Sequence, residues 1–217
     1  LLLLLAILPF IISCQNTEKK NLDKNALELE NFNFETNRST ILSEKDSIEG
    51  DPGYYKLKSE TIKADTIFYS ISEGMKNTDT PVKIEYHQYG FSTGDYLAKF
   101  GDFYINGINF TTTPDGKMMM MNGFIDKIEQ KESEKFIKVL DEKYGKAIKT
   151  TGRFFGSFDA YKWELNDRII RYCTVWDNEE NKIKLEESNG TLTFGEKEPH
   201  FKALIFIINK KYKNEIL

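Results

Sequence analysis

Gly90-Phe91-Ser92-Thr93-Gly94 has the G-x-S-x-G spacing of a nucleophile elbow, a sharp strand-to-helix turn that lifts a serine hydroxyl clear of the backbone. Asp177 and His200 follow it in the order that an acid and then a base would need for acyl transfer. The surroundings argue against that chemistry. The run before the motif alternates apolar and polar residues instead of being continuously apolar, and only the short stretch Asp95 to Phe100 follows as a helical segment. His200 precedes an apolar strand-like run, where a hydrolase places its histidine on a loop after the last strand. Ser92 and Asp95 are spaced as a capping box, so Ser92 is expected to cap a turn.

Other reactive side chains are sparse. His87 and His200 are the only histidines, and neither belongs to an H-E-x-x-H or a cysteine cluster, so no metal site and no cofactor is expected. Asp177-Asn178-Glu179-Glu180-Asn181 opens like a calcium loop, but Lys182 stands where the glycine would be and Ser188 where the final glutamate would be. Glu85 beside His87 has the composition of an acid/base pair, although alternate residues on a polar strand face are more simply solvated. Cys173 lies in the strand-like run Arg168 to Trp176 and reads as a buried, inert thiol. No phosphate-cradling G-x-x-x-x-G-K-[ST] loop occurs. A formal charge of −4 without a basic stripe argues against nucleic acid as a partner.

For binding rather than catalysis, the best candidates are Phe154, Phe155 and Phe158 in Arg153-Phe154-Phe155-Gly156-Ser157-Phe158-Asp159. Exposed, the three rings would form an apolar patch for a ligand or partner, whereas under a sheet they would be satellite core. Met118 to Met121 pose the same alternative. They are either flexible core filler or the lining of a soft ligand groove, with core filler the simpler expectation.

The elements that must position these groups begin after a distinct leader. Residues 1–13 are almost wholly apolar and too short for a permanent span, which needs about 20 residues, so they read as a signal peptide. Ile11-Ile12-Ser13-Cys14 closes that run and resembles the lipobox of bacterial lipoproteins. The resemblance implies cleavage after Ser13 and diacylglycerol on the Cys14 thiol, with a membrane as partner through the acyl chains. Gln15 is not the aspartate associated with inner-membrane retention, so an outer-membrane location is expected. Residues 14–25 are polar and read as a tether, ten residues of which extended reach up to ~35 Å. With Cys14 lipidated, Cys173 has no partner for an internal disulfide.

Residues 26–217 are expected to form one domain. Period-two patterning predicts strands at Leu27 to Phe34, Tyr55 and Leu57, Ile67 to Ile71, and Val82 to Tyr86. Hairpins are expected around Pro114-Asp115-Gly116, Asn166-Asp167 and Asn189-Gly190. Ala203 to Ile208 is apolar on both faces and suits a central strand covered on both sides. Ser133 as N-cap and the stripe Phe136, Ile137, Val139, Leu140 and Tyr144 predict a helix over about 133–144, ended by Gly145. The expected class is α+β, mainly antiparallel sheet with that helix packed on one face. The expected function is a non-enzymatic envelope lipoprotein that binds a protein or other ligand. The alternatives are a lipid-anchored hydrolase acting on envelope or captured polymers, and an immunity-type inhibitor at the cell surface.

Overall fold

The computed structural model describes residues 26–217 apart from 59, 90–95, 154–156, 179–180, 187–190 and 198, and gives the backbone alone for 153, 181–186 and 191–197. The chain begins with β1 (Leu27–Glu28), α1 (Arg38–Ile41), β2 (Tyr54–Leu57), β3 (Glu60–Ile67), β4 (Tyr69–Ser70) and β5 (Lys76–Asn77). It continues through β6 (Lys83–Tyr89), β7 (Ala98–Phe100), β8 (Phe103–Ile105), β9 (Gly107–Thr112) and β10 (Met118–Ile128). After α2 (Gln130–Tyr144) come β11 (Ile148–Arg153), β12 (Ser157–Glu164) and β13 (Arg168–Asp177). The last elements are β14 (Asn181–Glu186), β15 (Thr191–Lys197), β16 (His200–Asn209) and α3 (Lys213–Ile216).

The molecule is sheet-rich and mainly antiparallel. Nine strands form one sheet in the order β11-β12-β13-β16-β10-β9-β6-β3-β2, and every neighbouring pair in it is antiparallel. The β9–β10 connection shows why the turn residues matter. Gly116 sits at φ +84°, where a side chain is strained, and a Cβ there would lie 2.9 Å from the Asn37 side chain. That close approach docks the N-terminal segment: Asn37 donates to the Asp115 carbonyl at 3.1 Å, and the Arg38 amide donates to the Gly116 carbonyl at 2.8 Å.

One face of the sheet carries the core. Ile170, Ile205, Ile207, Met121, Phe110, Tyr86 and Ile62 are all buried on it, with Phe110 stacked on Tyr86 at 4.5 Å. Leu29, Leu42 and Phe100 join that core from outside the nine strands. The expected N-terminal strand is shorter than its pattern suggests. Only Leu27–Glu28 pairs, in parallel with β7, while Leu29, Phe32 and Phe34 are buried from turns. Ile67 to Ile71 is likewise broken, since β3 ends at Ile67 and Tyr69 pairs instead with Asn77.

The helix α2 starts three residues before the expected Ser133. The Glu132 carboxylate accepts the Glu129 amide at 3.2 Å, so an acidic group satisfies the helix start. Ser133 is a buried helical residue whose hydroxyl accepts from Tyr172 Oη at 2.9 Å. Phe136 makes ring contacts with Phe103 at 4.3 Å, Tyr172 at 4.8 Å and Phe100 at 5.5 Å. At the other end, the Asp141 carboxylate accepts from Ala147 N at 2.9 Å and Trp163 Nε1 at 3.1 Å, fastening the last turn to β12.

Candidate ligand-binding groove

Because side chains alternate along a strand, β16 sends Ala203, Ile205 and Ile207 into the core and Leu204 and Phe206 to the opposite face. That second face is not covered as the sequence pattern suggested. Leu204 and Phe206 are only half-buried. The register extends the face sideways. Leu204 lies opposite Cys173, Cys173 opposite Ala160, and Ala160 opposite Thr150. In the next row Phe206 lies opposite Arg171, Arg171 opposite Lys162, and Lys162 opposite Ile148. On the other side Ile208 pairs with Met120, Met120 with Thr111, and Thr111 with Glu85. These residues line an open cavity of about 720 Å³, within the ~300–1,000 Å³ range of small-molecule sites.

Two walls flank this floor. Along β11 and β12, Gly152 leaves room for Phe158, since a Cβ at 152 would sit 2.3 Å from the ring. The opposite wall is formed by Tyr69 and Ile71 with Ile216 and Leu217. Glu215 holds the single-turn α3 against the β4 loop. Its carboxylate accepts from Ser70 Oγ at 2.9 Å, from the Ile71 amide at 3.2 Å and from Ser72 Oγ. These donors, Ser72 foremost, lower the Glu215 pKa below its ordinary 4.5. A lowered folded-state pKa stabilises the protein above the unfolded value and is lost as pH falls through the folded one. The Ile71 amide is therefore expected to be protected from hydrogen exchange at neutral pH and to lose protection on acidification below 4.5. Glu215→Gln should remove that pH dependence, as amide-resolved exchange would read.

The four methionines divide between the two expectations. Met118, Met119 and Met121 are at most 1% exposed and are core. A register shift between Met118 and Met120 interrupts alternation, so consecutive residues can both be buried. Met120 is the exception: it is half-buried and lines the groove. Of the three candidate phenylalanines, Phe158 is in the groove wall, while Phe154 and Phe155 lie outside the described residues. Ser92 and Cys14 also lie outside them.

No known protein family, curated protein or solved structure matches this chain.

The charged groups of the groove are unevenly satisfied. Lys83, with its side chain 4% exposed, pairs with Glu85 at 2.9 Å, and Glu85 also contacts His87 Nε2 at 3.4 Å. The hydrogen bond from His87, with help from Lys83, outweighs burial and pulls the Glu85 carboxyl down to about 2, while Glu85 raises the His87 pKa. Such a carboxylate is a weak base at neutral pH, so this cluster reads as a structural ion pair. Arg171 is exposed in the groove and, among the described residues, has no hydrogen-bond or ion-pair partner.

Asp177 and His200 are cross-strand partners at the far end of β13 and β16, and Asp177 pairs with Lys202 at 3.0 Å. Cys173 is 7% exposed and burial pushes its thiol up to about 11, which leaves it protonated and unreactive. Among the described residues, no group of three His, Cys, Asp or Glu is placed to hold a metal ion, and no helix is long and apolar enough to cross a membrane. Sequence offers single lining residues, Phe158 and Met120, and the two-faced apolar run of β16, read there as two covered faces, but nothing in it brings them into one groove.

Proposed function

We propose that this protein is a non-enzymatic lipoprotein of the cell envelope whose domain binds a small, largely aliphatic ligand in the β16 groove. The observation that carries the reading is the open 720 Å³ cavity floored by half-buried Leu204, Phe206 and Met120. Each methylene that a ligand there removes from water gains ~0.8 kcal/mol. In this reading the fold is α+β: α2 serves as cover on the core side, and the opposite face is free to bind.

The lipobox-like Ile11-Ile12-Ser13-Cys14 supports the anchor. Two or three acyl chains on Cys14 would hold the protein at a membrane, by this reading the outer membrane, and the tether at 14–25 would let the groove work above the headgroups. Cys14→Ser is expected to move the protein from the membrane fraction to the soluble fraction with the melting temperature unchanged. An unchanged distribution would remove the anchor from the account.

Binding is tested by fluorescence titration of the full chain with N-phenyl-1-naphthylamine, a neutral dye that brightens in apolar sites. Saturable enhancement with one site per chain is expected. No enhancement up to the solubility limit of the dye would exclude an accessible aliphatic site.

A further inference from the structure

We infer that the ligand carries an anionic oxygen head group, and that Arg171 and Lys162 receive it while its aliphatic chain lies over the β16 and β10 side of the floor. This rests on the groove reading above and adds the class of molecule. Arg171 and Lys162 are direct cross-strand partners on β13 and β12, and both line the cavity. Like charges placed opposite each other on neighbouring strands repel, and an anion beside them relieves the repulsion.

The protein supplies little of that anion. Lys162 has Glu164 at 3.4 Å, but Glu164 is shared with Lys210 at 3.1 Å. Arg171 has no carboxylate partner among the described residues. On the opposite wall Lys83 and Glu85 already neutralise each other at 2.9 Å. The positive charge of the groove is therefore concentrated on its β12–β13 side.

Apolar surface continues on the other side. Leu204 and Met120, both half-buried, form that part of the floor, with Ile216 in the wall beside them. A pure hydrocarbon would leave the guanidinium against an apolar neighbour. A carboxylate or phosphate oxygen pair instead matches the planar fork of Arg171 with two parallel N–H···O bonds. The two halves together fit a single-chain anionic amphiphile, of which a fatty acid is the simplest.

The test is displacement of N-phenyl-1-naphthylamine from the full chain at pH 8 by laurate, lauryl alcohol and lauryltrimethylammonium, the two ions below their critical micelle concentrations and the alcohol below its solubility limit. These probes share one chain and differ in head-group charge. Laurate is expected to compete roughly tenfold or more better than the alcohol, the return for one charge-assisted contact, with the cationic analogue weakest. Arg171→Gln should erase the laurate advantage while leaving the alcohol unchanged, and Lys162→Gln should reduce it partly. If the three displace the dye equally from the wild-type protein, the head-group inference is wrong and the groove reading stands. If the dye does not bind at all, the groove reading fails and takes this inference with it. The wild-type series decides the matter even where a variant folds poorly.

Discussion

Ala160→Trp is expected to weaken N-phenyl-1-naphthylamine binding roughly thirtyfold while leaving the melting temperature within about 4 °C of the wild type. Ala160 is half-buried in the middle of β12, between Thr150 and Cys173 in one cross-strand row of the groove. An indole at this position projects into the open cavity, so few core contacts are disturbed. Losing two to three methylene-equivalents of ligand burial at ~0.8 kcal/mol each removes about 2 kcal/mol, which is the thirtyfold. A stability change held to about 1 kcal/mol corresponds to ~2–4 °C for a chain of this size. Unaltered dye affinity in a folded Ala160→Trp protein would place the bound dye somewhere else.

The largest expected stability effect lies at the edge of the same cavity. Glu85→Gln leaves the Lys83 ammonium, its side chain 4% exposed, without the carboxylate 2.9 Å away. Removing one partner of a buried pair costs ~3–5 kcal/mol. The Glu85 side chain is 25% exposed, so the lower end, about 3 kcal/mol, is expected, or roughly 6–12 °C in melting temperature. The pH dependence has a definite sign. Glu85 falls from 4.5 to about 2 on folding, so its contribution is present above 4.5 and is lost as pH descends toward 2. His87 acts in the opposite sense: its raised pKa contributes stability below 6.5 that fades as pH rises through the folded value. The gap between wild type and Glu85→Gln should be widest between about 4.5 and 6.5, persist in reduced form at neutral pH through Lys83, and close toward pH 2. A gap that stays constant down to that pH would show that the ion pair is not its source.

Local chemistry made several elements legible from sequence. Pro114-Asp115-Gly116 and Asn166-Asp167 each sit between paired strands, because turn residues act within four positions of the chain. The helix α2 was equally legible, although Val139 of its expected stripe is exposed and its start was misplaced by Ser133, a residue whose type suits a cap but whose hydroxyl is buried against Tyr172. The groove was not legible for a different reason. Thr150, Ala160, Cys173 and Leu204 share one row only through the register of four strands, and no local pattern encodes that register. Arg171 interrupts Ile169-Ile170-Arg171-Tyr172 as any solvent-facing strand residue would. Its significance appears only when Lys162 is found opposite and Phe206 beside it. Phe158 was singled out for its neighbours in sequence, yet the structure connects it with Gly152 across the hairpin.

The methionines permit the most direct test of where a ligand binds. All five methionines, Met75 and Met118 to Met121, can carry carbon-13 methyl labels, and their environments differ sharply. Met118, Met119 and Met121 are buried in the core, Met75 is 60% exposed, and Met120 lines the groove. Titration of the labelled full chain with laurate should shift the Met120 methyl resonance progressively to saturation, at the concentrations that displace the dye, with the Met75 resonance unmoved and the three core methyls shifting little. Saturable laurate binding that leaves Met120 in place, or that moves Met75 instead, would contradict the groove as the binding site.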